Sequence, residues 1–429
     1  MAFRLRDPVD PVTVTLDGDR ITAERGEPLA ASLVSAGELV LARSPKFHRP
    51  RGPSCMRAAC DGCLARVDGA PNVMTCMVPA ADGTAVVSQN RLGSRDADLL
   101  RMTDWFFPEG MNHHELFAGI PGVQTIMQSF ARRVAGLGRL PGAGTPPRPA
   151  VRRSVDVVVV GGGPSGLAVA AHAALSGRVV EIIDDQLEPG GSLLALAPGD
   201  VSAFDAIRAE LARAVHDGRV RIRASTVAGG VYGSDLLVVG PDGSEIVEAR
   251  SLVLASGAHD GVLAFEGNDL PGVLSARAGL ALLRRGIAVG EQVVVVVAPG
   301  GGPFGASFAR AVAADADARR RVGVEVVHGE PIAVSGTGPA TGIRVATPSG
   351  ERTFEADAVL VDAARSPAYE LAAQAGAELV HEPRGYVVRT DEGRIREGVF
   401  ATGELTGIPL EAAAIEADAA RVVERLTRG

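Results

Sequence analysis

All four cysteines of the chain fall within one short stretch: Cys55, Cys60, Cys63 and Cys76. Their spacing, C-x4-C-x2-C followed by one more distant cysteine, is the plant-type pattern in which four thiolates hold a [2Fe–2S] cluster. One loop would supply the close trio and a later strand the fourth ligand. Two other chemistries use four thiols. A pair of disulfides requires an oxidising compartment, and the sequence starts Met1-Ala-Phe-Arg-Leu-Arg-Asp-Pro, without the apolar run of a secretory signal. Structural zinc favours two C-x2-C pairs, and only Cys60 and Cys63 make one. A cluster that passes electrons is the expectation. One feature runs against it. Met56, Arg57, Ala58 and Ala59 stand between the first two cysteines, where a loop turning tightly around sulfide usually carries glycine.

Glycines carry the second signal. Asp156–Val160 reads as a strand, runs into Gly161-Gly-Gly-Pro-Ser-Gly166, and continues into an apparent helix, Leu167–Leu175. In this G-x-G-x-x-G turn Gly161 permits the tight bend, Gly163 lets a pyrophosphate approach the backbone, and Gly166 lets helix and strand pack closely. Pro164 and Ser165 in the turn are further candidate contacts, and the free N–H groups and dipole of the helix that follows favour the phosphates. The next strand, Arg178–Ile183, ends in Asp184, eighteen residues past Gly166, where an acid meets a ribose hydroxyl. Glu188-Pro-Gly-Gly-Ser192 follows and resembles flavoproteins that wrap FAD with a second glycine pair, which implies contacts at Gly191 and Ser192. Leu252–Ala258 resembles the strand that closes the first FAD segment and brings Gly257 to the site. Val399-Phe-Ala-Thr-Gly-Glu404 resembles the C-terminal FAD signature, which implies Gly403 and Glu404 at the ribitol. FAD is the expected occupant.

A second G-x-G-x-x-G, Gly300-Gly-Gly-Pro-Phe-Gly305, follows the apolar run Glu291–Val297, with Gly300, Gly302 and Gly305 as candidate contacts. Its usual occupant is NAD(P), held for hydride exchange or as a structural nucleotide. The signal here is weaker. The following strand, Val324–His328, ends in histidine where an NAD-binding acid is expected, with Glu330 two residues on. Arg319–Arg321 would either meet a 2′-phosphate or cover a helix end.

These sites need elements to position them. At 429 residues the chain suggests about three domains. Its net charge is −8 and its 43 basic residues are spread out, so nucleic acid is not an expected partner. The apolar runs Val155–Ala174 and Val293–Ala313 are each broken by Gly-Gly-Gly-Pro, which fits a buried parallel strand entering a helix and not a bilayer span. No membrane association and a cytoplasmic location are expected. Val12–Leu16 and Arg20–Ala23 alternate around Asp17-Gly18, a hairpin turn signal. Pro28–Ala36 has helical spacing with proline near its start. Hairpin, helix and cysteine loop in that order resemble the β-grasp ferredoxin fold.

The expected class is therefore α/β: a two-dinucleotide-binding-domain flavoprotein, with a Rossmann-like FAD domain carrying an inserted NAD(P)-type domain, preceded by a β-grasp ferredoxin-like domain. The expected boundaries are 1–98 for the [2Fe–2S] domain and 99–153 for a helical connector and Pro/Gly linker. They continue with 154–274 for the first FAD part, 275–366 for the insert and 367–429 for the second FAD part. In the connector, Asp96–Phe106 and Gln124–Leu137 look helical, and His113-His114 reads as structural. Arg43-Ser-Pro-Lys-Phe-His-Arg-Pro-Arg51 is either a solvated loop or a basic collar for docking the cluster domain.

Taken together, the run Arg43–Gly52, the cysteine loop, Ser88-Gln-Asn90 and Gly267-Asn-Asp-Leu-Pro-Gly-Val273 resemble the α subunits of heteromeric amine oxidoreductases. That family includes heterotetrameric sarcosine oxidase, opine and D-hydroxyproline dehydrogenases and hydrogen cyanide synthase. The resemblance implies a partner, an FAD-dependent amine-oxidase-type β subunit that takes a hydride from a C–N bond, while the α subunit carries electrons onward. The sequence departs from the family at its end. It stops at Gly429, so the folate-binding half of sarcosine oxidase α and the cysteine-rich C-terminal domain of several opine-type subunits have no counterpart, and a tetrahydrofolate reaction is not expected. Its N-terminal domain keeps cluster ligands that sarcosine oxidase α typically lacks. No catalytic acid, base or nucleophile is expected in this chain, because the cofactors carry the chemistry. The electron-transfer subunit is the leading reading. A stand-alone NAD(P)H reductase and a scaffold subunit with a structural nucleotide are the alternatives.

Overall fold

Alternating apolar residues build the N-terminal sheet. β1 (Pro11–Leu16) buries Val12, Val14 and Leu16 on one face and pairs antiparallel with β2 (Asp19–Glu24). The chain reverses through Asp17 (φ +51°) and Gly18 (φ +98°), the two consecutive left-handed residues that a two-residue hairpin turn requires. α1 (Leu29–Ser35) starts after Pro28, and its Leu29, Ala30 and Leu33 join the same core as that face. β3 (Leu64–Val67), β4 (Ala70–Met74) and β5 (Ala85–Val87) complete a five-stranded sheet in the order β2-β1-β5-β3-β4, with β1 and β5 parallel. Cys63 and Cys76 belong to the same core as Val14, Leu33, Ala65 and Val86, so these two cysteines are anchored by packing and not carried on a free loop.

The computed structural model describes residues 2–44, 47–95, 97–106 and 149–428, with a few positions between 120 and 129. His113-His114 and almost all of the expected helix 124–137 and linker 140–149 lie outside the described residues. The expected helix over 96–106 is a short 3₁₀ turn, Leu99–Arg101, continuing into the helix Met102–Phe106.

The next segment is a Rossmann-like sheet. β6 (Val151–Val160) ends in four buried valines and leads into α2 (Pro164–Leu175), then β7 (Val180–Ile183), α3 (Asp205–His216) and β8 (Val220–Arg223). The buried end of β6 shows why it reads as a continuous apolar run: a parallel sheet covered on both faces leaves no polar side there. A meander of β9 (Val227–Tyr232), β10 (Asp235–Gly240) and β11 (Gly243–Leu254) follows, and the sheet runs β8-β7-β6-β11-β10-β9. Four side chains on adjacent strands tie its polar end: Arg153 and Arg223 each pair with both Glu181 and Glu245.

A second sheet, in the order β12-β15-β13-β14, consists of β12 (Val273–Ser275), β13 (Gln292–Val297), β14 (Gly323–His328) and β15 (Ala358–Asp362). β12 pairs parallel with β15, and β13 with β14. The helix α4 (Phe304–Ala314) lies between β13 and β14 in sequence. Arg319–Arg321 form the last turn of a short helix, Ala316–Arg321, where cations oppose the negative end of the helix dipole. β16 (Val399–Ala401) returns to pair with β11, and α5 (Ala412–Arg428) closes the chain.

The chain divides into two compact units, each made of three segments. One comprises residues 1–145, 263–297 and 312–361; the other comprises 146–262, 298–311 and 362–429. The second glycine loop therefore groups with the first one. The fold is mixed α/β, with a ferredoxin-like domain and Rossmann-like nucleotide-binding sheets.

Leu254 ends β11 fully buried in a core shared with Val158, Ile183 and Leu405. Leu254→Ala is expected to lower stability by about 3 kcal/mol, the usual combined cost of lost transfer energy and residual cavity, read in chemical denaturation.

Candidate cofactor sites

The four cysteine sulfurs are arranged as two pairs. The thiol of Cys55 donates to Cys60 Sγ at 3.3 Å, well beyond the roughly 2.0 Å of an S–S bond. Cys63 pairs with Cys76 in the same way. Within each pair one thiol is held low and its neighbour pushed up. Cys60 is lowered to about 5, first by the hydrogen bond it accepts from Cys55 and against its burial. Cys63 is lowered first by the bond from Cys76. Cys55 and Cys76 are raised by donating those bonds and by burial. Among the described residues no three His, Cys, Asp or Glu side chains converge on a single ion. Two cysteine pairs, each able to hold one iron, fit the chemistry of a dinuclear cluster instead.

The loop achieves this without the glycines that the turn would favour. Met56 (φ +55°) and Ala58 (φ +60°) both adopt the left-handed conformation, at a strain of about 1–2 kcal/mol each. In return the main chain aims N–H groups at sulfur: Arg57 and Ala59 donate to Cys55 Sγ at 3.4 and 3.3 Å, and Ala58 donates to Cys76 Sγ at 3.4 Å. Such bonds disperse thiolate charge and tune a cluster's potential. Sequence reasoning missed Gly62. A Cβ there would stand 1.8 Å from the carbonyl oxygen of Gly52, so only glycine permits the two backbone segments to approach. Cys76 is presented by a 3₁₀ turn, Thr75–Met77, immediately after β4, and not by a strand as expected. Thr75 fixes that turn by donating to the Cys63 carbonyl at 2.8 Å.

The first glycine loop has the geometry its motif demands. Gly161 (φ +106°) lies so close to Ala255 that a Cβ would meet its carbonyl oxygen at 2.3 Å, and a Cβ on Gly166 would meet the Gly161 oxygen at 1.9 Å. Gly163 differs: a Cβ there meets nothing within 4 Å, which leaves the side where a pyrophosphate approaches open. Pro164 and Ser165 open α2. The buried Asp184 carboxylate accepts from the Gly162 and Gln186 amides. Gly190 donates to the Gly162 carbonyl at 2.7 Å, and Gly191 (φ +54°) packs against Gly163, so the second glycine pair wraps the first. Ser192 is buried in the following 3₁₀ turn. Gly257 (φ +71°) follows β11, and Gly403 (φ +79°) follows β16 against Ser165. The Gly403 amide and the Thr402 hydroxyl both donate to Asp418 on α5, at 3.1 and 2.6 Å. Glu404 pairs with Arg365 at 2.6 Å.

In the second loop the partner is a carboxylate. Gly302 and Gly305 donate their amides to Asp362, at 3.0 and 2.7 Å. Asp362 ends β15, not β14, and the signal that would have found it is an apolar strand, Ala-Val-Leu-Val, closing on an acid.

Residues 9–91 match the family of 2Fe-2S iron-sulfur cluster binding domains, and residues 159–204 match NAD(P)-binding Rossmann-like domains. The alpha subunit of sarcosine oxidase from Rhizobium meliloti is 31% identical over 317 residues, covering 66% of this chain and 32% of that protein. An opine oxidase subunit from Agrobacterium tumefaciens is 26% identical over 311 residues, covering 59% of this chain and 61% of that protein. The chain is a homologue of these oxidase subunits. It spans about a third of the length of the first and three-fifths of the second. The crystal structure of L-proline dehydrogenase from P. horikoshii superposes with a TM-score of 0.72 at 20% identity, covering 99% of this chain and 75% of that one, and shows the shared fold. The cofactor set of this oxidase-subunit homologue is [2Fe–2S] and FAD. Among the described residues no helix is long and apolar enough to cross a membrane.

Ala58→Gly is expected to stabilise the cluster-loaded protein by about 0.5–1 kcal/mol, since glycine carries no left-handed penalty; denaturant unfolding measures it. Gly163→Leu is expected to weaken flavin retention by about tenfold or more, read as flavin content per chain after desalting, with unchanged iron content.

Proposed function

We propose that the chain is the electron-transfer subunit of a hetero-oligomeric amine or imino-acid dehydrogenase or oxidase. In this reading Cys55, Cys60, Cys63 and Cys76 hold the cluster. The first glycine loop, with Asp184, Gly191, Ser192, Gly257, Gly403 and Glu404, holds FAD. A flavin subunit of amine-oxidase type is the partner. When bound, FAD exchanges electrons singly or in pairs and a [2Fe–2S] centre passes them one at a time.

The observation that carries the reading is the pairing of the four thiols in a loop whose amides point at sulfur, on a chain that also has an open first glycine loop. The chain's own residues bind and tune. Arg57, Ala58 and Ala59 donate to ligand sulfurs, Thr75 fixes the second pair, and Asp184 orders the FAD turn. Cys60 is the ligand that is only half-buried, which places the Cys55–Cys60 side of the loop nearer solvent and suits it to pass electrons outward. No step of proton abstraction or nucleophilic attack is assigned to this chain. The carboxylate at the second loop favours this reading over a stand-alone NAD(P)H reductase.

An anaerobic absorption spectrum tests the proposal. Flavin bands with a broad cluster shoulder are expected, unchanged by NADH or NADPH and bleached by substrate only when the amine-oxidising partner is added. Rapid bleaching of the isolated chain by NADH would replace this reading with the reductase.

A further inference from the structure

The second glycine loop has the sequence of a dinucleotide cradle, but its amides do not face an open site. The Asp362 carboxylate, itself 3% exposed, accepts from Gly302 through Oδ1 and from Gly305 through Oδ2. The Phe304 amide bonds to it as well. These are the positions of Gly163, Ser165 and Gly166 in the first loop, where the turn and the helix N-terminus meet a pyrophosphate. The two loops also differ at their central glycine. A Cβ on Gly163 meets nothing within 4 Å; on Gly302 it meets Asp362 Oδ1 at 3.3 Å and Arg365 Nε at 3.5 Å.

The surroundings are closed in the same manner. Arg365 lies over the Phe304 ring at 4.8 Å and holds Glu404 at 2.6 Å, so this cation is already paired with a carboxylate. Near the start of α4, Ser307 accepts from the Ala197 amide at 2.7 Å and donates to Asp200 at 2.6 Å, and Arg310 holds Asp200 at 2.8 Å. A dinucleotide phosphate entering here would meet a buried carboxylate already in its own seat. Two anions cannot share those amides without strong repulsion.

We infer that Asp362 is a built-in anion that occupies the phosphate cradle of the second glycine loop and shuts it to NAD(P). The fold family implies a nucleotide at this place, and the residues present do not fit one. The loop's role is then structural: Asp362 caps α4 from a neighbouring strand, as an acidic N-cap side chain would from its own helix. This inference bears on the electron-transfer reading, because a second loop shut to NAD(P) leaves a stand-alone reductase without its hydride donor site; its test reads nucleotide binding and not electron flow, so either can fail without the other.

The test uses the full-length, flavin-saturated protein, so that the first loop is filled, with ADP and NADH as probes in calorimetric titrations. The parent chain is expected to show no saturable binding of either. Asp362→Ser, which frees the amides and leaves Arg365 beside them, is expected to bind ADP about tenfold or more tighter than the parent. Asp362→Asn removes the charge but keeps a side chain of the same size against the amides, and is expected to bind ADP more tightly than the parent and less tightly than the serine variant. Saturable ADP or NADH binding by the parent, equal to that of the serine variant, overturns the inference; so does failure of a correctly folded serine variant to gain affinity. Should that variant lose its fold, hydrogen exchange on the parent decides. Amides of Gly302, Phe304 and Gly305 protected without nucleotide and unchanged by ADP support the closed cradle, and protection that appears only with ADP refutes it.

Discussion

A backbone N–H at a tight turn or at the start of a helix has no carbonyl of its own to bond, and it must find an acceptor. Each chemically significant place in this chain is a different answer to that demand. In the cysteine loop the acceptors are sulfurs: Cys55 takes two amides and Cys76 one. In the first glycine loop Asp184 takes the Gly162 amide, and the space beside Gly163 stays open. In the second loop Asp362 takes the amides of Gly302 and Gly305. The surrounding sheets hold these turns in register, through buried strands that permit no sliding.

The two glycine loops show how one motif can separate from one function. GGGPSG and GGGPFG differ at a single position and adopt the same strand–turn–helix order. What distinguishes them lies elsewhere in the sequence. Asp184 and Asp362 both stand at the ends of parallel strands, but Asp184 takes the amide of the second glycine, Gly162, whereas Asp362 takes the amides of the third and last, Gly302 and Gly305.

Much of this was legible in the residues. The hairpin at Asp17-Gly18, the parallel strands of valine and the glycine turns follow from local rules: left-handed turns need glycine or aspartate, and doubly covered strands have no polar face. The cysteine spacing indicated a dinuclear ligand set, and the structure supplies the pairing. What could not be read was contact between distant segments. Gly62 matters because the Gly52 carbonyl passes 1.8 Å from where its Cβ would be, and Asp418 matters because α5 returns to the Gly403 amide. Asp362 sits 57 residues beyond the amide of Gly305 that it binds. The expected obstacle at Met56–Ala59 is met by strain: two side chains are held in the left-handed region on a loop whose later cysteines, Cys63 and Cys76, are fixed in the core.

The interleaving of the two units has a consequence for how the protein is made. Neither unit is a continuous stretch: the first is complete only at residue 361, and the second only when the helix bearing Asp418 has been synthesised. A growing chain thus has the cysteine loop long before it has the rest of the unit that loop belongs to, and it has the first glycine turn long before the Thr402–Gly403 corner that lies against it. No cut between residues 146 and 361 could therefore release either unit intact, and a proteolytic fragment of this region loses part of both.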